Sequence, residues 1–465
     1  MTAILAAALA WGALAAQGAG VCDLDQADRF FEARKYESAL QVYEPGLAAC
    51  QGEERRKALY RAAECKALLY RFAEAAQLVL AEKPSNDPVW EPWRLLLKAE
   101  LARANLAQYG GAEPEDEEPG AGSGDVTRRT AAEWRADAQA AYLELWRRRK
   151  ALLERPTREQ GFFLDLKDAD LDPAPTLWDF VVLRWTEQLL TSAPDPAAKP
   201  AAEAFLAEDF GTDFAAGDAP ALQAAAVLED AFRLPGPERA EARELWRLER
   251  LLIPFEHPQT VAGFADPAAS RAKAIERLVR WKESFSRPRA RAEAAFHAAR
   301  LSQAAERYAD AVALCRDAED RWPGWPGTRR CKRLRAELEL PRLELRGRFA
   351  PPLGAGLIGL KTRNLDRVYL RLYAVSEAEL RRLWARRGRA EATDWSHLRS
   401  IDQESLASLL EGRPLHRWSV ERKPKEPHRW VEGPADPPAL AEGLYVAAAC
   451  SNESCSPAGA LVAGA

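Results

Sequence analysis

The chain has 465 residues, with 66 basic and 70 acidic side chains and a net charge of -4. That balance excludes nucleic acid as the main partner, because neutralising phosphates takes a basic surface. Hydrophobic residues at 47% and charged residues at 29% are ordinary for globular protein, and the length sets a prior of about three domains.

The chain opens on "MTAILAAALAWGALAAQGAGVC", with an apolar run from Ala3 to Ala16 followed by small residues. This reads as a secretory signal peptide over 1–20, although no Lys or Arg precedes the run. The run is short for a bilayer span, so the mature protein is expected to be exported to the periplasm, cell envelope or extracellular space. Cys22 follows directly. It is a candidate for lipidation, the one expected membrane tether. Val21 before it breaks the small-residue rule for such sites, and a free or differently paired thiol is the alternative.

Helices come next. "ARKYESALQVY" (Ala33–Tyr43), "LYRFAEAAQLV" (Leu69–Val79) and "AERYADAVALC" (Ala305–Cys315) share a basic residue, an aromatic and, three on, alanine. Tyr36, Phe72 and Tyr308 are therefore placed at turns between helices, with the alanine letting the helices approach. This is the logic of a tetratricopeptide-like hairpin, whose period is about 34 residues. "GGAEPEDEEPGAGSGD" (Gly110–Asp125) reads as a linker, and "TAAE" (Thr130–Glu133) as a capping box ahead of Trp134, Ala138, Ala141 and Leu145 at helical spacing. Helices continue to Glu339, broken at "SAPDPAAKP", "LPGPE" and "WPGWPG". The run "WRRRKALLER" (Trp146–Arg155) and the pair Glu229–Asp230 are expected on solvated helix faces.

At "LELPRLELRGRF" (Leu338–Phe349) the pattern turns to alternation. "KTRNLDRVYLRLYAV" (Lys361–Val375) reads as strand, with Val368, Leu370 and Leu372 on one face and Tyr369, Arg371 and Tyr373 on the other. "SEAE" (Ser376–Glu379) caps a short helix. Further strands are expected at Leu415–Glu421, His428–Glu432 and Gly443–Cys450, giving an antiparallel β-sandwich with Tyr369, Trp418 and Tyr445 in its core. The apolar end, "AGALVAGA", leaves a sheet edge in want of a partner and suggests that the chain is a portion of a longer one.

The predicted fold class is thus α+β, an α-solenoid of tetratricopeptide-like hairpins followed by an antiparallel β-sandwich. The domains are 1–20 signal peptide, 22–109 helical, 110–126 linker, 127–337 helical repeat and 338–465 β-domain. Spacing suggests three local disulfides, Cys50–Cys65, Cys315–Cys331 and Cys450–Cys455, which suits export. No metal site is expected, since no C-x-x-C pair or histidine cluster occurs. The five histidines make no H-x-x-x-H or H-E-x-x-H spacing. No G-x-S-x-G elbow exists, and "GLIGLKT" (Gly356–Thr362) lacks the phosphate-loop register. No enzyme activity and no cofactor are expected. The 15 tryptophans read as packing between helices, with a few able to line a groove.

The last 125 or so residues resemble the start of bacterial alpha-2-macroglobulin family proteins. "KTRNLDRVYLRLYAV" carries the likeness through Arg363-Asn364 and the strand with Tyr369 and Tyr373. "RWSVERKPKEPHRWVEGPADPPALAEGLYVAAAC" (Arg417–Cys450) carries it through a Trp strand, His428, Pro438–Leu440 and Gly443–Val446. The resemblance implies a macroglobulin-like β-domain and a role in trapping proteases, by bait cleavage and, in many members, a thioester. No cysteine here begins a C-x-E-Q thioester motif. The expected function is therefore the presenting part of an exported endopeptidase inhibitor, with proteases as partners of the longer protein. The alternative is a periplasmic helical-repeat scaffold that binds other envelope proteins.

Overall fold

A computed structural model describes residues 22–109, 126, 129–191, 199–215, 217–347, 358–376, 378–379, 411–435, 443, 445–455 and 460–464. The expected signal peptide and the linker at 110–125 lie outside these. Among the described residues the chain forms fourteen α-helices and two small antiparallel sheets, an α+β arrangement. It divides into two compact units, Met1–Gly263 and Phe264–Ala465. The last four helices therefore belong with the strands, whereas composition alone puts the change at Leu338.

The first unit holds α1 (Asp25–Glu32), α2 (Tyr36–Ala49), α3 (Gly52–Leu68), α4 (Phe72–Ala81), α5 (Trp90–Tyr109), α6 (Ala131–Arg147), α7 (Arg149–Leu153), α8 (Leu177–Thr191), α9 (Pro220–Arg233) and α10 (Ala240–Glu256). The second holds α11 (Pro267–Ser284), α12 (Pro288–Ala304), α13 (Tyr308–Arg321) and α14 (Pro326–Glu339), then seven strands. Proline stands at the first helical position of α9, α11, α12 and α14, where its missing N–H costs nothing. Thr130 and Glu133 form the expected capping box of α6. Trp134, Ala138, Ala141 and Leu145 are all buried.

The three sequence repeats share one backbone turn. Two residues ahead of each aromatic the chain enters the left-handed region, at Arg34 (φ 58°), Tyr70 (φ 62°) and Glu306 (φ 59°). The next N–H, of Lys35, Arg71 and Arg307, bonds the carbonyl five residues back at 2.8, 2.8 and 2.9 Å. This closes the ending helix by satisfying its orphan carbonyls. The aromatic then opens the next helix, and the alanine three on (Ala39, Ala75, Ala311) is wholly buried. Helix reversal and close approach come from the same five residues.

Buried charges hold the far end of the first unit. Asp179 on α8 accepts hydrogen bonds from Arg239 Nη2 (2.6 Å) and Nε (2.9 Å), Thr176 Oγ1 (2.6 Å) and Trp246 Nε1 (3.2 Å). Arg239 also donates to the carbonyls of Leu234 and Ala231. Removing one member of such a pair leaves the other charge buried and costs about 3–5 kcal/mol. Glu229 and Asp230, expected in solvent, are buried as well. Glu229 pairs with Arg250 (2.9 Å), and Asp230 pairs with Arg149 (3.2 Å) of the basic run. Guanidinium groups reaching across from other elements turned that helix face inward.

The strands are β1 (Arg342–Gly347), β2 (Ile358–Arg363), β3 (Arg367–Ala374), β4 (His416–Glu421), β5 (Val431–Pro434), β6 (Tyr445–Cys450) and β7 (Ala460–Gly464). They form sheets of order β1-β2-β5 and β4-β3-β6-β7, with every pairing antiparallel. Ile358 and Leu360, Val368, Leu370 and Leu372, and Ala447 and Ala449 meet in one buried cluster fed by both sheets. Trp418 and Tyr445 pack on it, as expected. Tyr369 does not, because alternation along β3 turns it away from Leu370.

"KTRNLDRVYLRLYAV" is two strands, not one. Asn364 (φ 56°) breaks it, and the chain passes from one sheet to the other. The Asn364 amide donates to the Leu338 carbonyl (2.6 Å) and accepts from His428 Nδ1 (2.9 Å), while Arg363 donates to the Glu337 carbonyl (2.8 Å). These groups satisfy the end of α14 and fasten it to both sheets. Trp430 lies against Lys361 (4.8 Å) and Arg363 (5.1 Å). The capping bonds expected at Ser376 and Glu379 form, and the helix beyond lies outside the described residues. The apolar end is the strand β7.

Arg34→Gly should stabilise the first unit by roughly 1 kcal/mol, since glycine takes the left-handed conformation without penalty, and Arg34→Val should destabilise it. Urea unfolding followed by far-UV circular dichroism checks this. Identical midpoints for all three proteins would show that the turn is unstrained.

Candidate functional site

The cysteines are placed first. Cys22 and Cys50 lie at disulfide distance (Cα–Cα 4.9 Å), as do Cys450 and Cys455 (5.1 Å). The second pair matches the spacing argument. The first corrects it. Leu24 packs over Gly46 near the end of α2, bringing Cys22 to Cys50, and Cys65 stays a thiol inside the α1–α3 core. Lipidation of Cys22 would need the sulfur that this bond uses. Cys315 and Cys331 are buried thiols in hydrogen-bond contact, not a bonded pair. Closing the 28-residue Cys22–Cys50 loop is worth roughly 3–4 kcal/mol in the chain-entropy account.

The most distinctive surface feature lies in the first unit. Between α7 and α8 the chain leaves helix for a strap, 154–176. Its two ends are tied by Thr157 N–H to the Pro175 carbonyl (2.9 Å) and Leu177 N–H to the Arg155 carbonyl (2.8 Å). From this base Gln160, Phe162 and Phe163 reach onto helices α3 and α5. Phe163 stacks on Trp93 (4.5 Å between ring centres, 10° between planes) and meets Trp90 and Tyr60 edge-on at 5.0 and 4.9 Å. Phe162 meets Trp90 at 5.7 Å. The Arg61 guanidinium sits 4.2 Å from the Phe31 ring and 4.5 Å from Phe162.

Polar contacts follow the rings. Arg61 Nη2 donates to the Phe162 carbonyl (2.7 Å), and Trp93 Nε1 donates to Gln160 Oε1 (3.0 Å). The Tyr60 hydroxyl faces the Phe163 carbonyl at 3.5 Å, and burial pushes its phenol pKa up, so it stays protonated. Burial also raises the Glu64 carboxyl, opposed by Arg61 beside it. On its outer side the strap walls an open cleft of about 600 Å³, between Pro88–Val89 and Gln160, Phe162 and Phe163. Glu154, Arg155 and Glu159 stand around it. A volume of this size suits a few peptide residues or a small ligand. The pocket beneath, beside Arg56 and Trp90, holds about 30 Å³, room for roughly one water.

Among the described residues no cluster of three His, Cys, Asp or Glu side chains could hold a metal, and no helix is long and apolar enough to cross a membrane. His297 is packed beside Phe296 and Glu293. Sequence reasoning ran helix through 154–176 and missed the strap. The signals were there in Pro156, Gly161, Pro173 and Pro175 around an adjacent aromatic pair. Comparison with family models, curated proteins and solved structures found no match.

Burial, the Glu64 charge nearby and only partial relief from Arg61 push the Cys65 thiol up to about 12 from 9.0, roughly a thousandfold less thiolate at pH 8. Iodoacetamide at pH 8 should therefore leave Cys65 unlabelled in the folded chain and label it in guanidinium. Fast labelling of the folded chain, read by peptide mass spectrometry, would contradict this burial.

Proposed function

We propose that the chain is a non-enzymatic protein-binding scaffold, an α-solenoid of tetratricopeptide-like hairpins joined to a macroglobulin-like β-sandwich. Its binding site is the cleft beside the strap, and its ligand is a peptide segment of a partner protein in the cell envelope. One observation carries this reading. Apolar and aromatic side chains face an open cleft of about 600 Å³, with charged groups of both signs around it. Such a surface combines burial for an anchor residue with orientation by charge.

A second reading rests on the β-domain. Among the described residues, seven strands in two antiparallel sheets over a shared core suit the sandwich that the alpha-2-macroglobulin resemblance implies. On that reading the chain presents a protease-trapping inhibitor whose bait and thioester lie elsewhere. Both readings make the helices a placement device, and only the first gives the cleft a ligand of its own.

Selection of a displayed random-peptide library on the purified chain should enrich peptides that bind this cleft. Val89→Asp, at the exposed lip, should weaken the selected peptides at least about tenfold without unfolding the chain. Selection that enriches nothing, or peptides indifferent to Val89→Asp, would move the assignment away from the cleft.

A further inference from the structure

We propose that the strap is an intramolecular occupant of a second groove, on α3 and α5, and that this groove takes in its place a partner segment bearing two consecutive aromatic residues. The inference rests on the scaffold reading and gives that scaffold a second ligand site, under the strap that walls the cleft.

The chemistry of the contact supports it. Arg61 and Trp93 come from two different helices, and each aims a donor at the strap. One acceptor is a main-chain carbonyl, which any peptide offers. The rings supply the selectivity. Phe163 is held on three sides by Trp93, Trp90 and Tyr60, and Phe162 lies between Trp90 and the Arg61 guanidinium. A pair of adjacent aromatics fills both positions and leaves the first residue's carbonyl free for Arg61, while Trp93 Nε1 is met by a side-chain acceptor two residues ahead of the pair, as Gln160 meets it here.

The strap is also built to leave. Its base is pinned by two backbone hydrogen bonds, so its tip can swing out while α7 and α8 stay in place. The internal bonds Phe163 N–H and Leu164 N–H to the Gln160 carbonyl travel with it. Beyond the aromatic pair it reads "LDLKDADLD", with Asp165, Asp168, Asp170 and Asp172 exposed, so this arm is already solvated. The outer cleft keeps Phe162 and Phe163 only half-buried even when seated. A tethered occupant competes at an effective concentration near millimolar, which lowers the apparent affinity of a partner by the fraction of time the groove is filled.

The test uses the full chain and a fluorescein-labelled peptide of residues 159–167, read by fluorescence anisotropy. Phe162→Ala/Phe163→Ala, which empties the groove, should bind this peptide at least tenfold tighter than the wild type. Adding Arg61→Met should reverse the gain. Should the double alanine variant unfold, Phe162→Leu/Phe163→Leu keeps the apolar volume and should still bind the peptide more tightly than the wild type. A folded variant that binds no better than the wild type overturns the proposal. A dimer formed by exchange of straps, seen by light scattering, overturns it too, because the trans occupant is then a second copy. If library peptides still bind the cleft in a Val89-dependent way while the diaromatic peptide fails, only this inference falls. If the diaromatic peptide binds the emptied groove but no cleft peptide is selected, the cleft assignment falls and this one stands.

Discussion

A helix can reverse within three residues by putting one of them in the left-handed region, and two helices that then touch closely need a small side chain at the crossing. This constraint is met three times with one solution, at Arg34, Tyr70 and Glu306 for the turn and at Ala39, Ala75 and Ala311 for the contact. Much else in the first unit follows from it. Reversing at every link sends alternate helices to the same side. Phe31 of α1, Tyr60 and Arg61 of α3, and Trp90 and Trp93 of α5 thus come to share one surface.

The second unit applies a similar economy to a different joint. Gly327 lies so close to the α12 backbone that a Cβ there would come within 2.5 Å of the Ala292 carbonyl. Only glycine permits that approach. The far end of the same helix is closed by Arg363 and Asn364, which also carry the chain from one sheet to the other. Arg363, Asn364 and His428, three of the residues behind the resemblance noted in the sequence, are thus among those that bind helix to sheet. This gives a physical reason for Arg363-Asn364 and His428 to occur together.

Local features were legible in the sequence, and those that need distant partners were not. The repeated basic-aromatic-x-x-alanine pattern, the Thr130–Glu133 cap and the alternation of Val368, Leu370 and Leu372 depend on neighbours a few residues away. Cys50 was misassigned because its partner depends on how Leu24 packs at the end of α2. Glu229 and Asp230 looked solvated because the arginines that reach them from other helices, Arg250 and Arg149, are twenty residues away or more. The break at Asn364 had a local signal, an Asn-Leu-Asp turn, but alternation on both sides masked it. The strap was invisible as a site because Phe162 and Phe163 acquire meaning only against Trp90 and Trp93, some seventy residues earlier.

On the reading proposed above, the aromatic groove stays filled until a partner displaces the strap. Hydrogen–deuterium exchange of the full chain, with and without an excess of diaromatic peptide, tests that claim most directly. Exchange over residues 160–172 should become faster once peptide is bound, with added protection in α3 and α5. Peptide that binds while exchange in the strap stays unchanged would contradict it, and would mean that Phe162 and Phe163 are fixed parts of the core.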